Sequence, residues 1–287
     1  MTALPERIET LVRARQPIQA TRQVRLFLHQ SHDKAELFQA CDWLRRLGKF
    51  RDAYQLLRLE KADFAPARST STHQGRRLLW GARLLNLMGA SQLALSIAEK
   101  LQPHDWESHR ICGNIFATNG MHEEALQHFE RMAKLDPAPE SYSSRVTRIS
   151  LADAACALGQ YDRAHEILAA ILGNSTEPML LAIAHSARGE YFLRQGRGDP
   201  GLQALQEAAQ YFPAHDLSPD RGVFEKWMGY AKGLKGLEKE AREHFAVAKE
   251  ILWKPESKAE AWLDILRLEH RLGWLAEADF TRLGTYP

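Results

Sequence analysis

The sequence predicts an all-α chain assembled from repeated helix-turn-helix units, and three observations carry that prediction. Segments of about 10 to 15 residues, rich in Ala, Leu, Glu, Gln, Arg and Lys, space their apolar residues three and four apart, which puts them on one buried helix face. Val, Ile and Thr never alternate at period two over a strand's length, so no strand is predicted. One local pattern then recurs along the chain: an apolar helix, a Gly, a small residue about five positions later, and a second helix.

In chain order, residues 1–33 read as an N-terminal cap of two helices split by Pro17, with Leu11, Ile18, Val24 and Phe27 facing the first repeat. Residues 34–287 read as about seven helix pairs. Their turns are LGKFRDAYQLL (Gly48, Ala53), MGASQLALSIA (Gly89, Ala94), NGMHEEALQHF (Gly120, Ala125) and LGQYDRAHEIL (Gly159, Ala164). QGRGDPGLQAL (Gly196, Gly201), KGLEKEAREHF (Gly236, Ala241) and LGWLAEADF (Gly273, Ala278) complete the series. The leading glycines are 41, 31, 39, 37, 40 and 37 residues apart. The longest gap contains residues 63–75, DFAPARSTSTHQG, a polar stretch expected to be a mobile loop or hinge.

Each part of the pattern has a cause. The Gly ends the first helix because it can take the left-handed conformation that turns the chain sharply. The small residue that follows lets two helix backbones approach, and a Leu or aromatic four positions on fills the seam. Pro103, Pro137, Pro213 and Pro255 end second helices.

These residues resemble tetratricopeptide repeats. The copy at 106–137 carries the resemblance best, with Gly113, Phe116, Gly120, Ala125, Phe129 and Pro137 on the family's signature positions and a Leu-Asp-Pro ending. The resemblance covers about residues 34–282; the other copies are degenerate and longer than the family's usual unit. It implies a right-handed α-solenoid in which the first helix of every repeat lines a concave groove. The groove-facing positions then select Phe38, Asp42, Arg76, Leu79, Arg83, Asn86, Arg110, Asn114, Lys226 and Tyr230 as partner-binding residues. The family's carboxylate clamp is not expected: Arg110 and Asn114 fit its first pair, but Ser150, Ile183 and Ala187 stand where an amide and two cations are required, and one cation forfeits most of the charge-assisted bonds.

Composition narrows the partner. The 287 residues are 45% hydrophobic and 26% charged, with 38 Lys+Arg against 36 Asp+Glu, which argues against nucleic acid or an anionic membrane as partner. The sum hides an asymmetry. Residues 1–110 hold 18 basic and 11 acidic side chains, and 111–287 hold 20 and 25, so the N-terminal half favours an acidic protein or peptide, and head-to-tail self-association is a further expectation. No apolar run is long enough for a signal peptide or membrane span, and three scattered cysteines suggest reduced thiols, so a cytoplasmic protein is expected.

No catalytic chemistry is expected. GxSxG, P-loop and HExxH motifs are missing. Gly196-Arg-Gly-Asp-Pro-Gly201 satisfies GxGxxG, but a helix precedes it and Pro200 interrupts it, so it reads as a repeat turn. The pairs His29/His32, His104/His109 and His122/His128 lack the i, i+4 spacing of a helical zinc site and read as surface or capping residues. Cys41, Cys112 and Cys156 read as buried thiols, Trp43, Trp227 and Trp262 as core fillers, and Trp253 and Trp274 as part exposed. No metal or cofactor is called for.

Overall fold

The computed structural model describes residues 4–13, 17–30, 34–47, 49–59, 68–139, 141–213, 216, 218–252 and 258–275. They form an all-α helix-pair repeat fold in two compact units, residues 1–135 and 136–287. The first unit contains α1 (Leu4–Arg13), α2 (Pro17–Gln30), α3 (Lys34–Arg46), α4 (Phe50–Leu56), α5 (His73–Leu87), α6 (Ser91–Ala98), α7 (Trp106–Thr118) and α8 (His122–Lys134). The second contains α9 (Tyr142–Ala157), α10 (Tyr161–Asn174), α11 (Pro178–Arg194), α12 (Gly198–Ala209), α13 (Pro219–Leu234), α14 (Glu238–Leu252) and α15 (Lys258–Arg271). From α3 to α14 each odd-numbered helix packs on the even one after it as an antiparallel pair.

The repeated turn takes the conformation its residues predict. Gly89, Gly120, Gly159, Gly196, Gly236 and Gly273 all have φ between +73° and +82°, where a Cβ would be strained. The residue after each donates its N–H to the carbonyl five positions back, as Met121 does to Phe116 at 3.0 Å and Arg197 to Phe192 at 2.8 Å. This is the hydrogen bond that closes a helix C-terminus on a left-handed glycine. Gly48 and Ala278 lie outside the described residues, but Lys49 N–H makes the same bond to Leu44 O at 2.8 Å. Past the turns, Ala53, Ala94, Ala125, Ala164 and Ala241 are fully buried. Seven residues before the first six leading glycines stand Cys41, Ala82, Gly113, Ala152, Gly189 and Gly229, all buried, so small residues from both helices form these six seams; before Gly273 the same position is Leu266. The GxGxxG stretch is one of these turns, with Pro200 in the first turn of α12.

In the first unit α1 and α2 share a core with α3 to α5. Ile8, Val24, Phe27, Trp43, Leu57 and Trp80 are buried together, with Leu11 packed against them. Glu9 fastens α1 to α3, accepting from Trp43 Nε1 at 2.9 Å and pairing with Arg46 at 2.8 Å. Ile18, expected on this buried side, is instead 85% exposed, because Ala20, Val24 and Phe27 form the buried stripe of α2 and Ile18 falls off it. The second unit's core gathers Leu205, Phe212, Phe224, Trp227, Phe245, Ile265 and Leu268.

Of the stretch 63–75, the described part, 68–75, differs from the loop expected of it. Residues 60–67 lie outside the described ones, but Arg68–Ser69 (β1) pairs in parallel with Leu101–Gln102 (β2), a short strand pair where none was predicted. Buried Thr70 continues it, its N–H reaching Gln102 O at 3.1 Å, and its hydroxyl accepts from His104 N–H at 3.2 Å. Thr72 then caps α5 by accepting from Gly75 N–H at 3.0 Å. A Cβ at Gly75 would fall 1.9 Å from Ser69 O, so the polar residues that signalled a loop serve as strand edge, cap and close contact.

Candidate functional site

Two side-chain clusters stand out on first helices, one in each unit. In the first unit α3, α5 and α7 bring together Asp42, Arg45, Arg83, Glu107 and Arg110. Arg45 pairs with Asp42 at 2.8 Å, while Glu107 faces both Arg110 at 3.7 Å and Arg83 at 4.0 Å. Two groove arginines each lie over a tryptophan of their own helix, Arg83 4.8 Å above Trp80 and Arg110 5.3 Å above Trp106. The side chains of Arg83 and Arg110 are only 14% and 18% exposed. Burial, then neighbouring Arg45 and Arg110, brings Arg83 down to about 9, and burial lowers Arg110 too. Both remain cations at neutral pH, short of compensating negative charge.

Polar atoms on the same helices lack partners. Arg110 Nε, Asn86 Oδ1 and Trp106 Nε1 are shielded from water, with no hydrogen bond among the described residues. Asn86 spends its other end on Thr118 Oγ1 at 3.2 Å, and Asn114 is exposed. Arg76 pairs with Asp105 at 3.4 Å, and Phe38 stacks near Trp80 with centroids 6.4 Å apart. Leu79 does not belong to this set. It is 2% exposed, because α5 packs against α3, α4, α6, α7 and β1, and so many neighbours bury Leu78, Leu79 and Trp80 alike.

In the second unit the cluster runs along α9, α11, α13 and α15. Tyr191 donates its hydroxyl to Asp153 Oδ1 at 2.6 Å. Asp153 reaches solvent yet is crowded by protein, and this desolvation, then the Glu190 charge, raises its carboxyl to about 7. Glu190 pairs with Arg194 at 2.8 Å. Arg194 lies 5.3 Å over Trp227, and Lys226 Nζ lies 5.2 Å from the same ring. Asp264 accepts from Arg267 at 3.1 Å and faces Lys226 at 3.5 Å. Arg194, Lys226, Trp227, Asp264 and Arg267, with Leu268 and Arg271, line a cavity of about 180 Å³. Tyr230, half-buried, meets Trp227 edge to face.

Lys226 lines this cavity and Tyr230 meets its Trp227, while Arg194, Asp264 and Arg271 are residues that the repeat register does not select. Arg194 follows Glu190, and Arg271 follows Arg267, by four residues, a one-face spacing that carries the missing signal. Trp227 is a core residue at 4% exposure, as expected, and also the floor on which two cations rest. Trp43 is buried at 2% and Trp274 half-buried, while Trp253 and the Trp262 side chain lie outside the described residues.

The remaining candidates for chemistry are structural. All three cysteines are buried, and burial pushes each thiol up to about 12, leaving it un-ionised. His109 is not a surface residue: it is 4% exposed, and its Nδ1 meets Nδ1 of His128 at 3.0 Å. Burial holds both imidazoles neutral, His128 down to about 4 with His109 and Arg131 contributing. Among the described residues no three His, Cys, Asp or Glu side chains converge as a metal site, and no helix is long and apolar enough to cross a membrane.

No curated protein matches the sequence. The apo form of the quorum sensor NprR from B. thuringiensis shares 14% identity and a TM-score of 0.61, over 97% of this chain and 83% of that one. NprR in complex with its cognate peptide NprX gives 15% and 0.66, over 97% and 86%. A tetratricopeptide repeat protein from Parabacteroides merdae gives 17% and 0.59, over 92% and 97%. Residues 116–190 match the tetratricopeptide repeat family, and the glycine turns seen there recur along the described residues.

Proposed function

We propose that this chain is a non-catalytic protein-interaction module that holds an extended, acidic segment of a partner on the first-helix face formed by α3, α5 and α7. One observation carries the reading. That face leaves a donor, Arg110 Nε, and an acceptor, Asn86 Oδ1, both desolvated and unpaired. Each such atom costs about 1 to 3 kcal/mol. A peptide backbone offers both a carbonyl and an N–H, so one extended strand with small side-chain adjustments supplies both partners. Its Asp or Glu residues compensate Arg83 and Arg110, which share Glu107. That a protein of the same fold, NprR, is known with a bound peptide agrees with this use of the helices.

Fluorescence anisotropy with a fluorescein-labelled peptide of alternating Glu and Ala tests it. Arg83→Glu combined with Arg110→Glu should weaken binding by at least about tenfold, the loss expected when charge-assisted bonds become repulsive. Circular dichroism should show unchanged helicity. Affinity equal to that of the unaltered chain would move the interface off this face.

A further inference from the structure

The cavity in the second unit has a chemistry that a protein-interaction face does not require. Its walls present four cations, Arg194, Lys226, Arg267 and Arg271, against one carboxylate, Asp264. Glu190 answers Arg194 from beside the cavity, and Asp264 is shared between Lys226 and Arg267. Two positive charges therefore stand uncompensated, and Arg271 has no ionic partner among the described residues. Like charges gathered around a half-open cavity repel one another, and an anion sharing the space relieves that repulsion. A second observation is independent of charge. Trp227, 4% exposed, lines the same cavity, and its Nε1–H is shielded from water without an acceptor among the described residues.

We propose that this cavity binds a phosphate monoester. The charge decides between the available oxyanions: a carboxylate would leave one cation unanswered, whereas a phosphate monoester carries about −1.5 to −2 at neutral pH. Its oxygens accept from several guanidinium forks at once, and a small turn of the Trp227 ring brings the indole N–H to one more. The volume of about 180 Å³ admits the phosphate and the first atoms of its ester. The ester belongs either to a phosphorylated side chain of a partner or to a small phosphorylated molecule, and the same pocket chemistry reads both.

The test follows the indole Nε1–H resonance of Trp227 in the full chain, assigned by its loss in Trp227→Phe, during titration with inorganic phosphate at constant ionic strength. The resonance should shift saturably with phosphate and with phenyl phosphate, but not with chloride or acetate. Arg271→Glu, at an exposed position that leaves α15 intact, should weaken the response by at least about tenfold, and Arg267→Gln by less. The chain carrying Arg83→Glu and Arg110→Glu should respond as the unaltered one does, so failure of the peptide-binding reading leaves this result standing. A phosphoserine tetrapeptide that binds more tightly than phenyl phosphate assigns the ester to a partner's side chain; the reverse order assigns it to a small molecule. No shift with phosphate, an equal shift with acetate, or an undiminished shift in Arg271→Glu overturns the proposal.

Discussion

The two units use one device, an arginine resting on a tryptophan, and reach different results. In the first unit ring and cation come from the same helix, at i, i+3 for Trp80 and Arg83 and at i, i+4 for Trp106 and Arg110. Such a pair is complete within one helix and adds a charged ridge to a face. In the second unit Trp227 takes Lys226 from its own helix and Arg194 from the first helix of the preceding repeat. The ring then ties α11 to α13, and the cations of α15 close the space above it. A stripe of side chains becomes a cavity when its stacking crosses between repeats.

If that contrast is a matter of side chains on a common scaffold, the scaffold should fail alike in either unit when its seam is overfilled. Ala125 is fully buried against the first helix of its pair, so Ala125→Trp should destabilise by about 1 to 3 kcal/mol. In the second unit a Cβ at Gly201 would lie 2.7 Å from Leu193 and 3.2 Å from Gly189 O, and Gly201→Leu should cost as much. Thermal unfolding followed by circular dichroism measures both. A neutral outcome at either position would show that its seam is looser than the other.

A smaller effect separates the units by pH. The His109–His128 pair belongs to the first unit, and there the folded state keeps His128 neutral down to about 4, whereas the unfolded chain takes up a proton near 6.5. The unfolded state therefore binds more protons in this window, and stability is lost as pH falls from 6.5 towards 4. His128→Phe keeps a ring against Phe116, which His128 stacks on at 5.2 Å, and removes the proton site. Its denaturation midpoint should fall less steeply over that window, by about 1 kcal/mol after allowing for solvent screening. An acid limb as steep as that of the unaltered chain would place the lability elsewhere.

The architecture was legible because its determinants are local. A glycine at φ near +75° and a small residue five positions on need no distant partner to act, and every described copy behaves alike. Ile18, Leu79 and the 68–72 segment were misread because their environment is set by other elements: the buried stripe of α2, the crowding around α5, and the edge supplied by Leu101–Gln102. The candidate sites divide the same way. Repeat register alone selects Arg83 and Arg110. The cavity was not, since it needs the tryptophan of one repeat, the arginine of the repeat before and the cations of the repeat after, and no single window contains all three.

The smallest predicted effect concerns the acidic end of the second unit's cluster and opposes the histidine effect in sign. Asp153 ionises near 3.8 in the unfolded chain but only at about 7 in the folded one. Between those values the folded state holds a proton that the unfolded state has released, so stability falls as pH rises through this window and stays reduced above it. Asp153→Asn removes the charge while its amide oxygen still accepts from the Tyr191 hydroxyl. The variant should be more stable than the unaltered chain at pH about 8, by under about 1 kcal/mol because Asp153 touches solvent, and indistinguishable from it at pH about 4. Unfolding midpoints at the two pH values decide the matter. A variant equally stabilised at both would mean that the carboxylate is ionised throughout, and that Glu190 and Arg194 form the pair without pressing on their neighbour. A variant destabilised at both would make Asp153 a structural acceptor whose charge Tyr191 requires.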